Sequence, residues 1–599
     1  MDEAGTAVAD TALYKIPLLV GVVGHRDLVA AEVPSIRAAL EAVLTQLRDS
    51  DSQVSVHLLS SMADGADLLA AEVASSLGID VIALLPYSAA QCRSDLTSEP
   101  ARATFDRVMT GAERLELPLA AGVTADDLAR AGDARDRQFQ RAGVFIARYS
   151  SLLIAIWDGQ ETDHRAGTAR VVDFRRRGVS PAANDGVTKP DLFAAEDNDL
   201  IYDIRCSRNG DAHDGQRETD AAVNVMARGF FSGGNLLGTL DQGIPRMLKK
   251  LVQHTGEFNR DVAEYGAQIA RRGRRLAPPS PHSTPESLRY VDQLFVASDW
   301  LGVHFRHCFT RALRTRYVLW AALAFLLMAF KRQHEGLLGF STIGGVMVLF
   351  GLGWLLAIWA HRRNWHRRYL DYRALAEGLR VDFYWELAGV RAQFDGEFAH
   401  ESFLQKQDLD LEWIRAAMRA VSLRCALYPR VNWPNGFEHT YAAWVGDSDP
   451  VNGSGQLQYY HLRTKALQRR QRIAERLARA MLLAGLIFGL VLTLDVASQF
   501  FHGPRLNEMA HTLMLWGLAL LTVYGAIFEI YLGEKADRPL IRQYRYMDSL
   551  FSFAARELRS ARSATEKLEI LRSLGHACLA EHAQWILAHR DKRIEGMRW

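Results

Sequence analysis

The chain has 599 residues and a mass of 67.1 kDa, enough for about four domains of ordinary size. Lysine and arginine number 71 and aspartate and glutamate 69, so the net charge is only +2, which argues against a nucleic acid as partner. A hydrophobic fraction of 49% excludes a disordered chain, and five scattered cysteines exclude a disulfide scaffold and a CxxC zinc site.

The N-terminal stretch MDEAGTAVADTALYK is acidic and has no basic segment followed by an apolar one. A secretory signal peptide needs both. We therefore expect the N-terminal half of the chain to stay in the cytoplasm.

The first 210 residues alternate short apolar runs with amphipathic helical patterns. The runs cover residues 16–23, 54–59, 81–85, 152–157 and 200–204. Strands that are apolar throughout are typical of a parallel sheet buried on both faces. The alternation predicts a doubly wound, Rossmann-like α/β domain, in which ligands bind at the carboxyl ends of the strands.

Three of these strands end in turns suited to a phosphate group. They are GVVGHRD (21–27), SSMADGAD (60–67), and WDG (157–159) with AGTA (166–169) opening the next helix. Glycines let backbone N–H groups approach an anion, and a helix N-terminus adds a positive field. Each turn alone is as easily structural, but three at one sheet edge favour an anion site, to which Arg26 adds a charged donor.

The motifs GVVGHRDL, SSMADGADLLAAEVASSLGIDVIALLPY and SLLIAIWDG with AGTARVV resemble the SLOG superfamily over residues 16–208. That Rossmann-like group is related to the LOG phosphoribohydrolases, the DprA core and the cytosolic sensor of melastatin-type TRP channels. The resemblance implies a nucleotide-derived ligand, either NAD-derived or a cyclic nucleotide, with no further cofactor and no metal. The implied ligand-binding residues are Gly24, His25, Arg26, Asp64, Gly65, Asp158, Gly159, Gly167 and Thr168.

The chain departs from the enzymes of that superfamily at one motif. LOG-type enzymes carry GxGTxxE, whose glutamate assists cleavage of an N-glycosidic bond. Here Gly167-Thr168 is followed by Ala169, Arg170 and Val171, and Arg165 stands in place of the first glycine. The departure favours a binding domain with no catalytic residue. A membrane-anchored nucleotide hydrolase or phosphoribohydrolase is the alternative, with Asp158 or Asp64 as its acid.

Residues 211–285 predict a helical insertion and a linker. The segments 181–189 and 205–218 are polar and typical of loops, and apolar residues between 247 and 269 fall on one helix face. The proline-rich stretch PPSPHSTP (278–285) marks the domain boundary.

The second half carries four apolar runs, at residues 317–330, 336–360, 480–494 and 512–532. The second and fourth are long enough to cross a bilayer, which takes about 20 residues. The first and third are short, and such a run can also be a buried soluble helix, but each lies just before a long one. We therefore predict an all-α transmembrane domain with four spans in two hairpins and long cytoplasmic helices, divided into units 286–425 and 426–599.

The distribution of basic residues predicts how these spans are oriented. Arginines and lysines flank the outer ends of both hairpins, whereas the two tips hold only Lys331, Arg332 and Arg505. By the positive-inside rule the tips face outward and both termini lie in the cytoplasm. The predicted location is the inner (plasma) membrane, crossed several times.

Four residues in the last two spans are candidates for a pore or subunit interface: Gly485, Gly489, Asp495 and Glu529. Gly485 and Gly489 form a GxxxG motif, which packs helices within a hairpin or between subunits. The two acids are either solvated at the membrane interface or form a cation-selecting ring in an oligomer.

The helix–hairpin–helix pattern, which occurs twice, resembles the SLATT family of two-span effectors. Gln456, Tyr459, Tyr460, Glu581 and Trp585 carry the resemblance. It implies a pore-forming or membrane-perturbing homo-oligomer in prokaryotic stress or antiviral defence. The sequence thus predicts a membrane sensor–effector, in which a nucleotide-derived signal bound in the cytoplasm gates the transmembrane half. A purely structural membrane protein with a vestigial domain is a further alternative.

Overall fold

The computed structural model describes residues 15–120, 122–130, 132–160, 167–177, 200–208, 226–232, 234–276, 285–332, 336–393, 411–428, 433, 435–447, 453–500, 506–535 and 537–590. The predicted loop 181–189 and most of the linker 278–285 lie outside them. The strands are β1 (Leu18–Gly24), β2 (Val56–Ser60), β3 (Asp80–Leu85), β4 (Glu113–Glu116), β5 (Leu152–Trp157), β6 (Ile201–Arg205), β7 (Met226–Ser232) and β8 (Asn235–Gly238).

The helices of the first 272 residues are α1 (Val33–Arg48), α2 (Ala66–Ser76), α3 (Ala89–Ser94), α4 (Glu99–Gly111), α5 (Asp133–Tyr149), α6 (Thr168–Arg177) and α7 (Arg246–Arg272). Those that follow are α8 (Glu286–Arg332), α9 (Gly336–Arg362), α10 (Trp365–Ala388), α11 (Val390–Gln393), α12 (Glu412–Leu427), α13 (Gly436–Thr440), α14 (Gly455–Phe500), α15 (Glu508–Lys535), α16 (Asp537–Ser560) and α17 (Ala564–Arg590).

The strands form one mixed sheet in the order β4-β3-β2-β1-β5-β6-β7-β8. The pairs from β4 to β6 are parallel, while β7 and β8 pair antiparallel at one edge. The five predicted strands all belong to the parallel part, which confirms an N-terminal α/β fold. The chain adds strands on one side of β1 and then, from β5, on the other. Such a reversal opens a crevice between the two strands at their carboxyl ends.

By contacts the chain divides into two compact units. The first comprises residues 1–301, 374–436 and 571–584, and the second 302–373, 437–570 and 585–599. We call them the sheet unit and the helical unit. The sheet unit therefore contains segments that follow the first predicted hairpin in sequence.

Helix α12 is one of these later segments of the sheet unit, and it is buried along most of its length. It packs on β1, β4, α5 and α7. The Trp413 ring lies 5.9 Å from that of Phe258, and Arg424 Nη1 donates to Glu113 Oε1 (2.6 Å). Since α12 covers apolar surface of the first 272 residues, those residues do not complete their core alone.

Helix α7 is fixed to the start of β1 by one buried amide. Asn259 Oδ1 accepts the backbone N–H of Ile16 (2.9 Å), and Nδ2 donates to the carbonyls of Ile16 (3.0 Å) and Gln53 (2.8 Å). The predicted apolar face of this helix is confirmed, because Leu248, Phe258 and Ile269 are buried. Helix α7 is thus part of the sheet unit's core.

The two units differ in the apolar surface that they expose. Among the described residues, the large exposed hydrophobic side chains of the sheet unit are Leu119, Leu236 and Leu237, whereas more than twenty lie in the helical unit, mainly on the last turns of α8 and on α9, α14 and α15. Phe340 is 76% exposed and Leu486 is 70% exposed. An exposed apolar area of this extent is typical of a lipid-facing surface.

Three helical stretches within the described residues are long and apolar enough to cross a membrane: Gly339–Ala388, Gly455–Ser498 and Glu508–Gly533. The structure therefore indicates a membrane protein. The run 317–330 forms the C-terminal part of α8 and does not qualify by length and composition, so three of the four predicted spans are found.

We predict that Asn259→Ala lowers the free energy of unfolding of the full chain by about 2 kcal/mol or more. Each buried backbone group left without a partner costs about 1–3 kcal/mol, and Asn259 satisfies three. Denaturant titration of the detergent-solubilised chain measures the change. Arg260→Ala, which removes only an exposed ion pair with Asp51, is the control and should cost under about 1 kcal/mol. Equal stability of the two variants would contradict this role of Asn259.

Candidate functional site

The end of β1 is tied to the end of β5 by His25. Its backbone N–H donates to Ile156 O (3.0 Å), its carbonyl accepts the N–H of Ala66 (3.0 Å), and its Nε2 accepts the N–H of Asp158 (2.9 Å). Burial lowers the pKa of His25, although the nearby Asp158 carboxylate opposes the shift. Because Nε2 accepts an N–H, the imidazole in this arrangement carries its proton on Nδ1. His25 thus holds three loops in register.

Two glycines allow these loops to approach each other. A Cβ on Gly24 would lie 2.3 Å from Ala66 Cβ, and one on Gly65, whose φ is +81°, would lie 2.4 Å from the carbonyl oxygen of Arg26. No other residue type fits at either position without moving the backbone. The carboxylate of the neighbouring Asp64 is held by hydrogen bonds, since its Oδ2 accepts the N–H (2.9 Å) and Oγ1–H (2.6 Å) of Thr97.

The loop after β5 supplies the other wall. Asp158 Oδ1 accepts the N–H of Gln160 (2.9 Å), and Gly159, with a φ of +81°, makes room for the Arg205 guanidinium, which occupies the place of a Cβ. Gly167 is exposed with open space around it, and Thr168 begins α6 and is buried. The first N–H groups of a helix have no intrahelical partner, so α6 offers them beside Gly167.

These loops enclose a cavity of about 410 Å³ at the carboxyl ends of β1 and β5. Its lining includes Val23, Gly24, His25, Arg26, Asp27, Ser61, Ala63, Asp67, Asp136, Phe139, Gln140, Gly143, Gln160, Gly167, Thr168, Arg170, Phe174 and Arg208. The volume is that of a site for a small metabolite. We call it the β1–β5 cavity.

A second cavity of about 430 Å³ adjoins the first. The two share Arg26, Asp27, Ser61, Ala63 and Phe139, and the Arg26 guanidinium lies 3.8 Å from the centre of the Phe139 ring. The stacked pair therefore separates the two spaces. A ligand in either one meets the same cation.

The structure places the predicted residues in three groups. Gly24, His25, Arg26, Gly167 and Thr168 line the β1–β5 cavity, and Asp64 lines the second cavity. Gly65, Asp158 and Gly159 line neither and instead shape the loops. Both carboxylates considered as a catalytic acid, Asp64 and Asp158, are thus held in loop hydrogen bonds.

Several lining residues were not predicted. Asp136, Phe139, Gln140 and Gly143 come from α5, whose amphipathic pattern faces the cavity but contains no phosphate-binding motif. Asp67 belongs to the quoted motif SSMADGAD, two residues after Gly65. Its position in the first turn of a helix that follows a strand could have identified it as a candidate site residue.

Asp67 is the most unusual group of the cavity. It is 6% exposed, and Oδ2 accepts a hydrogen bond from Ser61 Oγ (2.5 Å), while Oδ1 has no hydrogen-bond donor among the described residues. Burial raises the pKa of this carboxyl to about 6, against the opposing effects of the Ser61 hydroxyl, the Arg26 charge and the Gly24 N–H. Asp27 and Asp136 also line the cavity but are exposed, so Asp67 is the lining acid whose charged form is disfavoured by burial.

The four residues of the predicted pore or interface lie in the helical unit. A Cβ on Gly485 would be 3.4 Å from Thr522 Cγ2 and one on Gly489 would be 3.7 Å from Leu518, so the GxxxG motif packs on α15 of the same chain. Asp495 Oδ1 accepts the N–H of Leu506 (2.8 Å) and Oδ2 lies 2.8 Å from His511 Nδ1, which joins α14 to α15. Glu529 is exposed.

No protein-family model matches this chain, and no curated protein matches it. The resemblance to the SLOG and SLATT families therefore rests on the motifs quoted above.

We predict that Asp67→Asn changes the pH dependence of stability. The folded pKa of about 6 lies above the ordinary 3.8, so the stability contributed by the protonated carboxyl is complete below pH 3.8 and is lost as the pH rises through about 6. The loss at neutral pH is about 3 kcal/mol. Thermal unfolding of both chains between pH 4 and 7 should show that the stability of the variant increases relative to that of the wild type as the pH rises. Parallel curves would contradict this prediction.

Proposed function

We propose that the protein is a membrane sensor–effector whose doubly wound, Rossmann-like sheet unit binds a nucleotide-derived signal in the β1–β5 cavity. The observation that carries the proposal is the convergence, in one cavity at the strand reversal, of Arg26, the open Gly167 and the N-terminus of α6. Unpaired N–H groups and a guanidinium suit a phosphate. Glycines at the neighbouring turns keep the backbone close to the ligand.

We also propose that residues 317–330 form a fourth span. Val318 is 66% exposed and Phe325 is 49% exposed, like the side chains of the three qualifying helices. Within the helical unit, Tyr524 Oη donates to the carbonyl of Ala321 (3.1 Å), and the Tyr317 and Tyr531 rings lie 5.4 Å apart. A segment packed beside a spanning helix with an apolar outer face is stable in lipid.

We propose that the effect of ligand binding is transmitted to the membrane spans along continuous helices. The division between the two units falls inside α8, α10 and α17, so each of these helices has residues in both. Ligand binding that changes the sheet unit would act on the membrane spans through them. In this proposal the active form is a homo-oligomer that opens a pore or perturbs the bilayer, in prokaryotic stress or antiviral defence.

Hydrolysis of the bound nucleotide is the second candidate function. One observation favours it: Asp67 has an oxygen without a donor among the described residues and a pKa of about 6, which suits a general acid at neutral pH. Incubation of the chain with a nucleotide panel, followed by product analysis, separates the two. Saturable binding without products supports the sensor, and turnover supports the hydrolase.

We predict that Gly167→Glu abolishes nucleotide binding and ligand-triggered dye release from proteoliposomes. A glutamate there occupies the space of the phosphate and repels its charge. Its Cβ meets no atom of the described residues within 4 Å, and an acid suits a helix N-terminus, so the fold is retained. Calorimetry and dye release measure the two effects. Gly111→Glu, at an equally open glycine that ends α4, is the matched control. Normal binding by a folded Gly167→Glu chain would place the ligand elsewhere.

The proposed topology places both hairpin tips outside the cell and both termini in the cytoplasm. Single cysteines replacing Gln333 or Glu508 should react with a membrane-impermeant maleimide in intact cells, whereas one replacing Arg562 should react only after lysis. Cys308→Ser is the background, because the other four cysteines are buried. The opposite labelling pattern would overturn the topology.

A further inference from the structure

The sheet unit keeps a buried carboxylate of which one oxygen has no hydrogen-bond donor among the described residues. Asp67 lies in the first turn of α2, where Oδ2 accepts the Ser61 hydroxyl and Oδ1 is buried without a donor from the part of the chain that the structure describes. A buried polar atom left unpaired costs stability. An apolar residue of similar size would remove that cost, so the carboxylate points to a partner that arrives with the ligand.

Among the described residues, the donors that act on this carboxyl are the Ser61 hydroxyl, which binds Oδ2, and the Gly24 N–H, which lowers its pKa but makes no hydrogen bond to Oδ1. Arg26 is near enough to lower the pKa of Asp67, but its guanidinium stacks on Phe139, and no cation of the described residues lies within 4 Å of the carboxylate. Arg170 and Arg208 also line the cavity. Asp27, which pairs with Arg208, and Asp136 line it as well, so three aspartates stand beside three arginines. A hydroxyl is the hydrogen-bond donor that a phosphorylated sugar brings to such a site without adding a charge.

We propose that Asp67 Oδ1 accepts a hydrogen bond from a ribose hydroxyl of the ligand, so that the β1–β5 cavity selects phosphorylated sugars with free hydroxyls over phosphate alone. The inference rests on the proposed function, since it assumes that the phosphate lies at Arg26 and α6. Ser61 acts as a positioning residue, because its hydroxyl holds Oδ2 and thereby fixes the direction of Oδ1. A cavity of about 410 Å³ has room for a sugar beside the phosphate.

The experiment compares AMP, 2′,3′-dideoxy-AMP and inorganic phosphate on the full chain in detergent by isothermal titration calorimetry. The wild type should bind AMP at least about tenfold more tightly than the dideoxy compound, the factor that one hydrogen bond to a charged group contributes. Asp67→Ala should lose most of this preference while still binding the dideoxy compound. Asp67→Asn, which keeps one acceptor oxygen and the shape, should retain part of it.

Glu72→Gln is the matched control, because Glu72 lies on the same helix but pairs with Arg37 and Arg107 outside the cavity. It should leave the preference unchanged. Equal affinity of the wild type for AMP and the dideoxy compound would overturn the role of Asp67. A preference for AMP that survives in Asp67→Ala would overturn it as well. Either result would do so even if Gly167→Glu still abolishes binding. Failure of all three probes to bind the wild type would instead contradict the proposed phosphate site.

Discussion

The organisation of the sheet unit depends on the hydrogen bonds of His25. One neutral imidazole and its peptide group join the loop after β1 to the last residues of β5 and to the first turn of α2. These contacts require the backbones to approach closely, which is possible because Gly24 and Gly65 have no Cβ. A charged His25 would not accept the N–H of Asp158. Burial, which lowers the pKa of the ring, therefore maintains the arrangement on which the cavity depends.

The same close packing explains why the charged carboxylate of Asp67 reduces the stability of the fold. Helix α2 begins immediately after Gly65, so its first turn is drawn into the space between the strand ends, where little water reaches. A carboxylate in such a place loses hydration that one serine hydroxyl does not replace. Residues that bind or react commonly reduce the stability of the fold that holds them. In the proposed function, stability and ligand recognition are thus opposed at Asp67, whereas at His25 they coincide.

The sequence was informative where one local pattern determines the structure. The apolar strands β1, β2, β3, β5 and β6 were predicted because each is buried on both faces. The edge strand β4, with the sequence ERLE, and the antiparallel strands β7 and β8 carry no such pattern. Five of the nine predicted site residues line the β1–β5 cavity, because turn motifs in the sequence indicate the backbone conformation of the loops. Asp67 and the α5 residues were missed because burial and side-chain direction depend on tertiary packing, which no motif spacing records.

The division of the chain into units also follows from packing and not from order along the sequence. Helix α12 comes after the first hairpin, yet it completes the core around β1, β4 and α7, while residues 571–584 join the same unit near the end of the chain. Trp385 illustrates the dependence, since its Nε1 donates to Leu571 O (3.1 Å) and its ring fills the place of a side chain at Gly575. A unit assembled from three separated segments cannot complete its fold until the long apolar helices between them have been synthesised. Folding of the sheet unit and insertion of the apolar helices are therefore coupled, and a fragment that ends before the first apolar run would lack part of its core.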